Sequence, residues 1–171
     1  ADLTIASAVV AVVTGGIAGS TGNVAFTTAT RTDVDGAIAL TGAGIVQLDA
    51  ATISIAAGIT TVAGLIDFDG AVIVDTGAGT AIGTGAGAGH VVFDTTLALA
   101  NAASDLTITV NDGSVTFTGV ATIGAGDLII ASAVIADVNA GIAGSTGSIG
   151  FTTSTRTDVD AAIALTGAGV V

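Results

Sequence analysis

The chain has 171 residues, 51% of them hydrophobic, and a formal net charge of −12 from 14 acidic residues, every one Asp, against only Arg31 and Arg156. So few cations exclude a nucleic-acid interface, which needs a basic patch, and disfavour an anionic membrane surface. Pro, Cys, Met, Trp, Tyr, Lys and Glu are all absent, so no disulfide staples the chain and zinc has a single His90 to bind.

The first element is the apolar run from Ile5 to Val13, IASAVVAVV. It is far shorter than the roughly 20 residues of a membrane-spanning helix, and without Trp or Tyr there is no girdle for a membrane barrel. No signal peptide is visible and residue 1 is not Met, so the sequence reads as a mature chain or an excerpt.

From Asn23 to Leu40 the pattern has period two. Val24, Phe26, Thr28, Thr30, Thr32, Val34, Gly36, Ile38 and Leu40 form one set, and the other set holds Arg31, Asp33 and Asp35. That is a strand pattern, with a bend expected at Gly36. Short apolar-x-apolar phrases come next at Ile53–Ile55, Ile66–Phe68, Leu97–Leu99, Leu106–Ile108, Val115–Phe117 and Leu128–Ile130. Gly, Asn and Asp punctuate the gaps, as turn residues do. IASAVVAVV and ALANAA permit a turn or two of helix, but the abundance of Val, Ile and Thr favours strand.

The chain also repeats itself. Residues 126–171 match residues 1–46 at a constant offset of 125, with about 34 of 46 positions identical and no gap. Residues 1–125 are therefore one full unit, and residues 126–171 begin the next. A unit this long exceeds the usual solenoid repeat of about 20–50 residues, so it is expected to contain several smaller coils. Phe68, Phe93 and Phe117 recur at intervals that suit one coil. The fold expected is all-β: one continuous parallel β-solenoid over residues 1–171, with about 20–25 residues per coil and about five or six coils per unit. A tandem array of β-sandwiches is the structural alternative.

Chemistry is sparse. His90 comes after a Gly-rich loop and precedes a strand, where a lone histidine is ordinarily solvated. The segment from Thr76 to His90, TGAGTAIGTGAGAGH, lacks both phosphate-loop spacings and has no Lys, so it reads as a flexible excursion or a corner of small residues. The Asp pairs are the calcium candidates: Asp33 with Asp35, Asp158 with Asp160 one unit later, and Asp67 with Asp69 around Phe68. The first two pairs each have an Arg two residues upstream, so a solvated Arg–Asp pair is the competing reading. Paired carboxylates also serve glycoside hydrolysis, but the aromatic and basic groups that hold sugar are nearly missing, and no catalytic residue is assigned. The Thr28, Thr30, Thr32 run recurs only once per unit and shares its side of the strand with Val24 and Phe26, which makes a buried Thr ladder more natural than an ice-binding face.

Phrases such as ASDLTITVNDGSVTFTGVATIGAGDLIIASA, from Ala103 to Ala133, resemble the passenger regions of filamentous haemagglutinin-like adhesins and autotransporters, and other bacterial β-strand-repeat surface proteins. The resemblance implies a secreted or surface-anchored solenoid serving as a fibre, sheath or adhesin stalk, extracellular and not inserted in a membrane. It carries over no functional residue. Two function classes are expected. One is a non-enzymatic structural segment whose partner is itself, through stacking. The other is an adhesive or calcium-dependent module in which loops such as Gly77–Gly89 contact a host or neighbouring cell surface.

Overall fold

Alternating side chains on short strands need a second layer to bury one side against, and here the chain supplies it by coiling back on itself. The computed structural model describes residues 1–171 and contains nineteen strands in one parallel sheet, with no helix. The first coils hold β1 (Leu3–Val13), β2 (Ile17–Gly19), β3 (Val24–Val34) and β4 (Ile38–Leu40). The middle coils hold β5 (Val46–Asp49), β6 (Thr52–Ile55), β7 (Ile59–Thr61), β8 (Leu65–Phe68), β9 (Ala71–Val74), β10 (Thr80–Thr84), β11 (His90–Phe93), β12 (Leu97–Leu99), β13 (Leu106–Thr109), β14 (Ser114–Phe117) and β15 (Ala121–Gly124). The last coils hold β16 (Leu128–Val138), β17 (Ile142–Gly144), β18 (Ile149–Val159) and β19 (Ile163–Leu165). The fold is a β-solenoid, and the sandwich alternative is excluded.

The pairings define a three-sided prism. The first face stacks the opening halves of β1 and β3, then β5, β8, β11 and β14, then the closing halves of β16 and β18. The second face stacks the closing halves of β1 and β3, then β6, β9, β12, β15, β17 and β19. The third stacks β2, β4, β7, β10 and β13, then the opening halves of β16 and β18. The four 11-residue strands are thus bent strands that turn a corner, with register shifts at the bend in β1 and β16.

Coil length varies along the prism. Leu3 lies beside Val24 and Leu128 beside Ile149, steps of 21 residues, whereas Thr52 lies beside Ala71 at 19 and Thr80 beside Leu106 at 26. In the regular end coils each face takes seven residues, as Leu3, Val10, Ile17, Val24, Arg31 and Ile38 show. The longer coils lie in the middle, where Phe68, Phe93 and Phe117 mark the coil length.

A single cluster of 35 buried apolar residues fills the axis. Phe68, Phe93 and Phe117 are fully buried and stacked, with ring centroids 4.9 and 5.0 Å apart. That offset lies close to the strand spacing of about 4.8 Å, so in-register strands deliver the stack. The period-two reading holds for Val24, Phe26, Thr28, Thr32, Val34, Ile38 and Leu40, all buried. Thr30 is exposed, because the chain turns a corner between Thr28 and Thr32, whose hydroxyls meet at 3.0 Å inside it. The segment expected to be a flexible excursion instead contains β10, paired on both sides, so Gly77–Gly89 is not one free loop. IASAVVAVV lies within β1, and ALANAA begins in β12.

The corners explain the glycine content. Gly22, Gly44, Gly64, Gly89 and Gly113 occupy the corner before the first face on successive coils, each against the backbone of the coil before it. A Cβ on Gly44 would sit 2.2 Å from the Gly22 carbonyl oxygen, and one on Gly113 would sit 1.5 Å from that of Gly89. Gly77 has nothing within 4 Å. Gly113→Ala is therefore expected to destabilise the protein by at least about 2 kcal/mol, and Gly77→Ala to change stability by no more than about 0.5–1 kcal/mol, as read by denaturant unfolding.

Candidate functional site

The register that stacks the phenylalanines also stacks the residues just after them. β8 and β11 place Phe68 beside Phe93, so Asp69 and Asp94 leave the first face at the same corner, one coil apart. Their amide N–H groups donate to the carbonyls of Leu48 and Phe68, which ties both to the ladder. Asp67 lies one residue before Phe68, on the outward side of β8. Carboxylate oxygens of Asp67, Asp69 and Asp94 all lie within 4.8 Å of one another. Gln47 on the preceding coil donates from Nε2 to Asp69 Oδ2 at 3.2 Å.

Carboxylates placed close together disfavour one another's ionisation. Partial burial, then the charges of Asp69 and Asp94, push the Asp67 carboxyl up to about 6. Asp94 is also raised, first by lost solvent and then by its hydrogen bond to Asp69 and that group's charge, while the Thr118 hydroxyl pulls the other way. The cluster can hold a proton between carboxyls, or an oxygen-seeking cation of flexible geometry such as calcium.

The other candidates are arranged differently. Arg31 is ion-paired with Asp33, and Arg156 Nη2 lies 3.3 Å from Asp158 Oδ2, each an exposed arginine on a half-buried aspartate, where such a surface pair contributes at most about 1 kcal/mol. Asp35 and Asp160 fall just past the ends of β3 and β18, where a corner begins, and their N–H groups bond to the carbonyls of Val13 and Val138. The structure therefore joins Asp33 to Arg31 and Asp158 to Arg156, and assembles a carboxylate cluster only around Asp67 and Asp69. Its third member, Asp94, escaped the sequence reading. The signal was present: Phe68-Asp69 and Phe93-Asp94 are the same dipeptide, one Phe interval apart.

His90 opens β11 as an exposed side chain, its Nδ1 2.8 Å from the Ser114 hydroxyl of the next coil. On the third face a shallow groove of about 450 Å³ runs over small side chains, among them Ala39, Thr60, Gly83 and Thr109, and no ionisable group lines it. No helix is long and apolar enough to cross a membrane. Compared with protein-family models, curated proteins and solved structures, the chain matches none.

The raised carboxyl gives stability a definite pH slope. Asp67 binds its proton more tightly folded than unfolded, so its contribution is fully present below the ordinary Asp range and is lost as pH rises through about 6. Thermal unfolding is expected to give a higher Tm at pH 5 than at pH 7. Asp67→Asn should raise the Tm at pH 7 and flatten that slope; an unchanged slope in this variant would remove the cluster as its origin.

Proposed function

We propose that this chain is a structural segment of a long, acidic, secreted or surface-exposed repetitive protein, a fibre, sheath or stalk without enzymatic activity, built by stacking coils along one axis. One observation carries the reading: the two copies of the repeated sequence fold alike and join the same continuous stack. Thr41 Oγ1 donates to the Gly19 carbonyl and Thr166 Oγ1 to that of Gly144, both at 3.3 Å. Asn23 N–H donates to Asp2 Oδ1 at 2.8 Å and Ser148 N–H to Asp127 Oδ1 at 2.7 Å. The Thr28–Thr32 contact returns as Thr153–Thr157 at 2.9 Å. A unit that re-creates its own geometry at an offset of 125 residues can be added again without redesign, and stability then accumulates through nearest-neighbour contacts.

Charge sets how such fibres meet. One unit carries ten Asp against one Arg, a net −9. Spread over a rise of about 27 Å, that is about one charge per 3 Å, roughly half the axial density of duplex DNA. Lateral association is therefore opposed at low ionic strength and eased by salt or divalent cations. Cryo-EM of the assembled protein is expected to give a layer spacing near 4.8 Å and a rise per unit of about 27 Å; isolated globular particles without that spacing would overturn the fibre reading.

The Asp67, Asp69 and Asp94 cluster favours a second reading, a calcium-dependent binding module. Calcium would bridge the three carboxylates and lock two adjacent coils together. In that case millimolar calcium raises the Tm at pH 7, and the rise is lost in Asp69→Asn. A Tm unchanged by calcium leaves the structural reading alone.

A further inference from the structure

The repeat and the prism do not share a period, and this determines how an array presents its surface. Between the opening half of β1 and the opening half of β16, which begin equivalent copies, the chain passes seventeen faces, or five turns and two-thirds. The equivalent strands accordingly lie on different faces. β2 is on the third face and its copy β17 on the second; β4 is on the third and its copy β19 on the second. The Arg31–Asp33 pair decorates the second face, and its copy Arg156–Asp158 the first. The glycine ladder moves as well: Gly22 and Gly44 stack at the corner before the first face, and Gly147 and Gly169 at the corner before the third, with the same 2.2 Å approach of the later glycine's Cβ position to the earlier glycine's carbonyl oxygen. Seven residues per face in these copies make the three faces interchangeable to them.

The structure also shows what covers the equivalent edge in the second copy. Leu3 is 39% and Val9 67% exposed, whereas Leu128, the copy of Leu3, is 0% exposed and Val134, the copy of Val9, is half-buried. The cover over the second copy is β13, β14 and β15, residues 106–124. Nearly the same edge is thus covered once and bare once. The opposite edge behaves likewise: Phe26 is buried under β5, while its copy Phe151 is only half-buried.

We infer that the β1 edge is the docking surface for residues 106–124 of a preceding copy of this unit, and that successive units in the array are turned by one face, a third of a revolution, so that the surface pattern returns at every third unit. This rests on the fibre reading above. Each unit's acidic cluster then points in one of three directions, and the array meets lateral neighbours on three sides equally instead of forming a two-faced ribbon. Three units complete seventeen turns, about 80 Å of axis.

Because the protein has no cysteine, designed pairs test the turn directly. Thr107 lies beside Ile129, at a spacing a disulfide can bridge, so Thr107→Cys with Ile129→Cys should oxidise to a bridge, while Thr116→Cys with Ile129→Cys should not. The reverse result means whole turns per unit, which overturns the rotation and leaves the fibre. His90→Cys with Ser114→Cys reports stacking alone; if this pair fails together with both others, the stacked coil and the fibre reading fall together. In a chain lengthened by three copies of residues 1–125 placed ahead of the present one, cryo-EM should show a unit rise of about 27 Å. After the coil-to-coil twist in the same map is subtracted, the azimuthal step should be a third of a revolution. A step of zero, or density ending in a bare edge between units, overturns the inference.

Discussion

Parallel strands stacked in register at about 4.8 Å dictate everything else in this structure. In such a ladder every side chain sits directly over its counterpart one coil away. A column must therefore tolerate itself. Phenylalanine does, and Phe68, Phe93 and Phe117 become an axial stack. Glycine does at corners, where the Gly113 backbone approaches that of Gly89 too closely for any Cβ. Aspartate does not, and where Asp69 lies over Asp94 with Asp67 beside them, the consequence is raised proton affinity at Asp67 and Asp94. The same rule thus produces the core, the composition and the one cluster of unusual chemistry.

The composition looks extreme only against ordinary domains. Coil edges that stack every 4.8 Å or so leave little room at corners, which selects Gly, Ala, Ser and Thr there. Inward columns select β-branched and aromatic residues. Solvent-facing columns need charge for solubility without long side chains crossing to the next coil, and Asp meets that need at low side-chain entropy. The missing Lys and Glu are consistent with the same economy of length.

Much of this was legible in the sequence, because period two and the offset of 125 residues are properties of the chain alone. The strands around Val24–Leu40 could be read from alternation, and Phe68, Phe93 and Phe117 announced the length of the middle coils. Register between coils could not be read, since coil length ranges from 19 to 26 residues and each insertion resets which residues meet. For that reason only part of the surroundings of Asp67 is legible: Asp69 stands two residues away in the sequence, whereas Asp94 is brought in by register alone. β10 was hidden for another reason. Its sequence, TAIGT, is flanked by Gly-rich turns whose composition outweighs a strand of five residues, and only pairing with β7 and β13 makes it one.

The seven-residue step was also present and unread, in Leu3, Val10, Ile17 and Val24, because strands separated by single corners look like one long apolar run. That step changes how the repeat should be understood. A solenoid of unequal faces can duplicate only by whole turns, since any other length would bring mismatched faces together. In this chain the copied segment has equal faces at both ends, so the duplication needs only a whole number of faces. The irregular coils, with their insertions and their acidic cluster, are confined between those regular ends. The regular coils therefore act as a joint that accepts any of three orientations, and the irregular ones are free to diverge without disturbing it. Whether an array runs straight or winds its features around the axis is then decided by the number of faces between joints, and here that number is not a multiple of three.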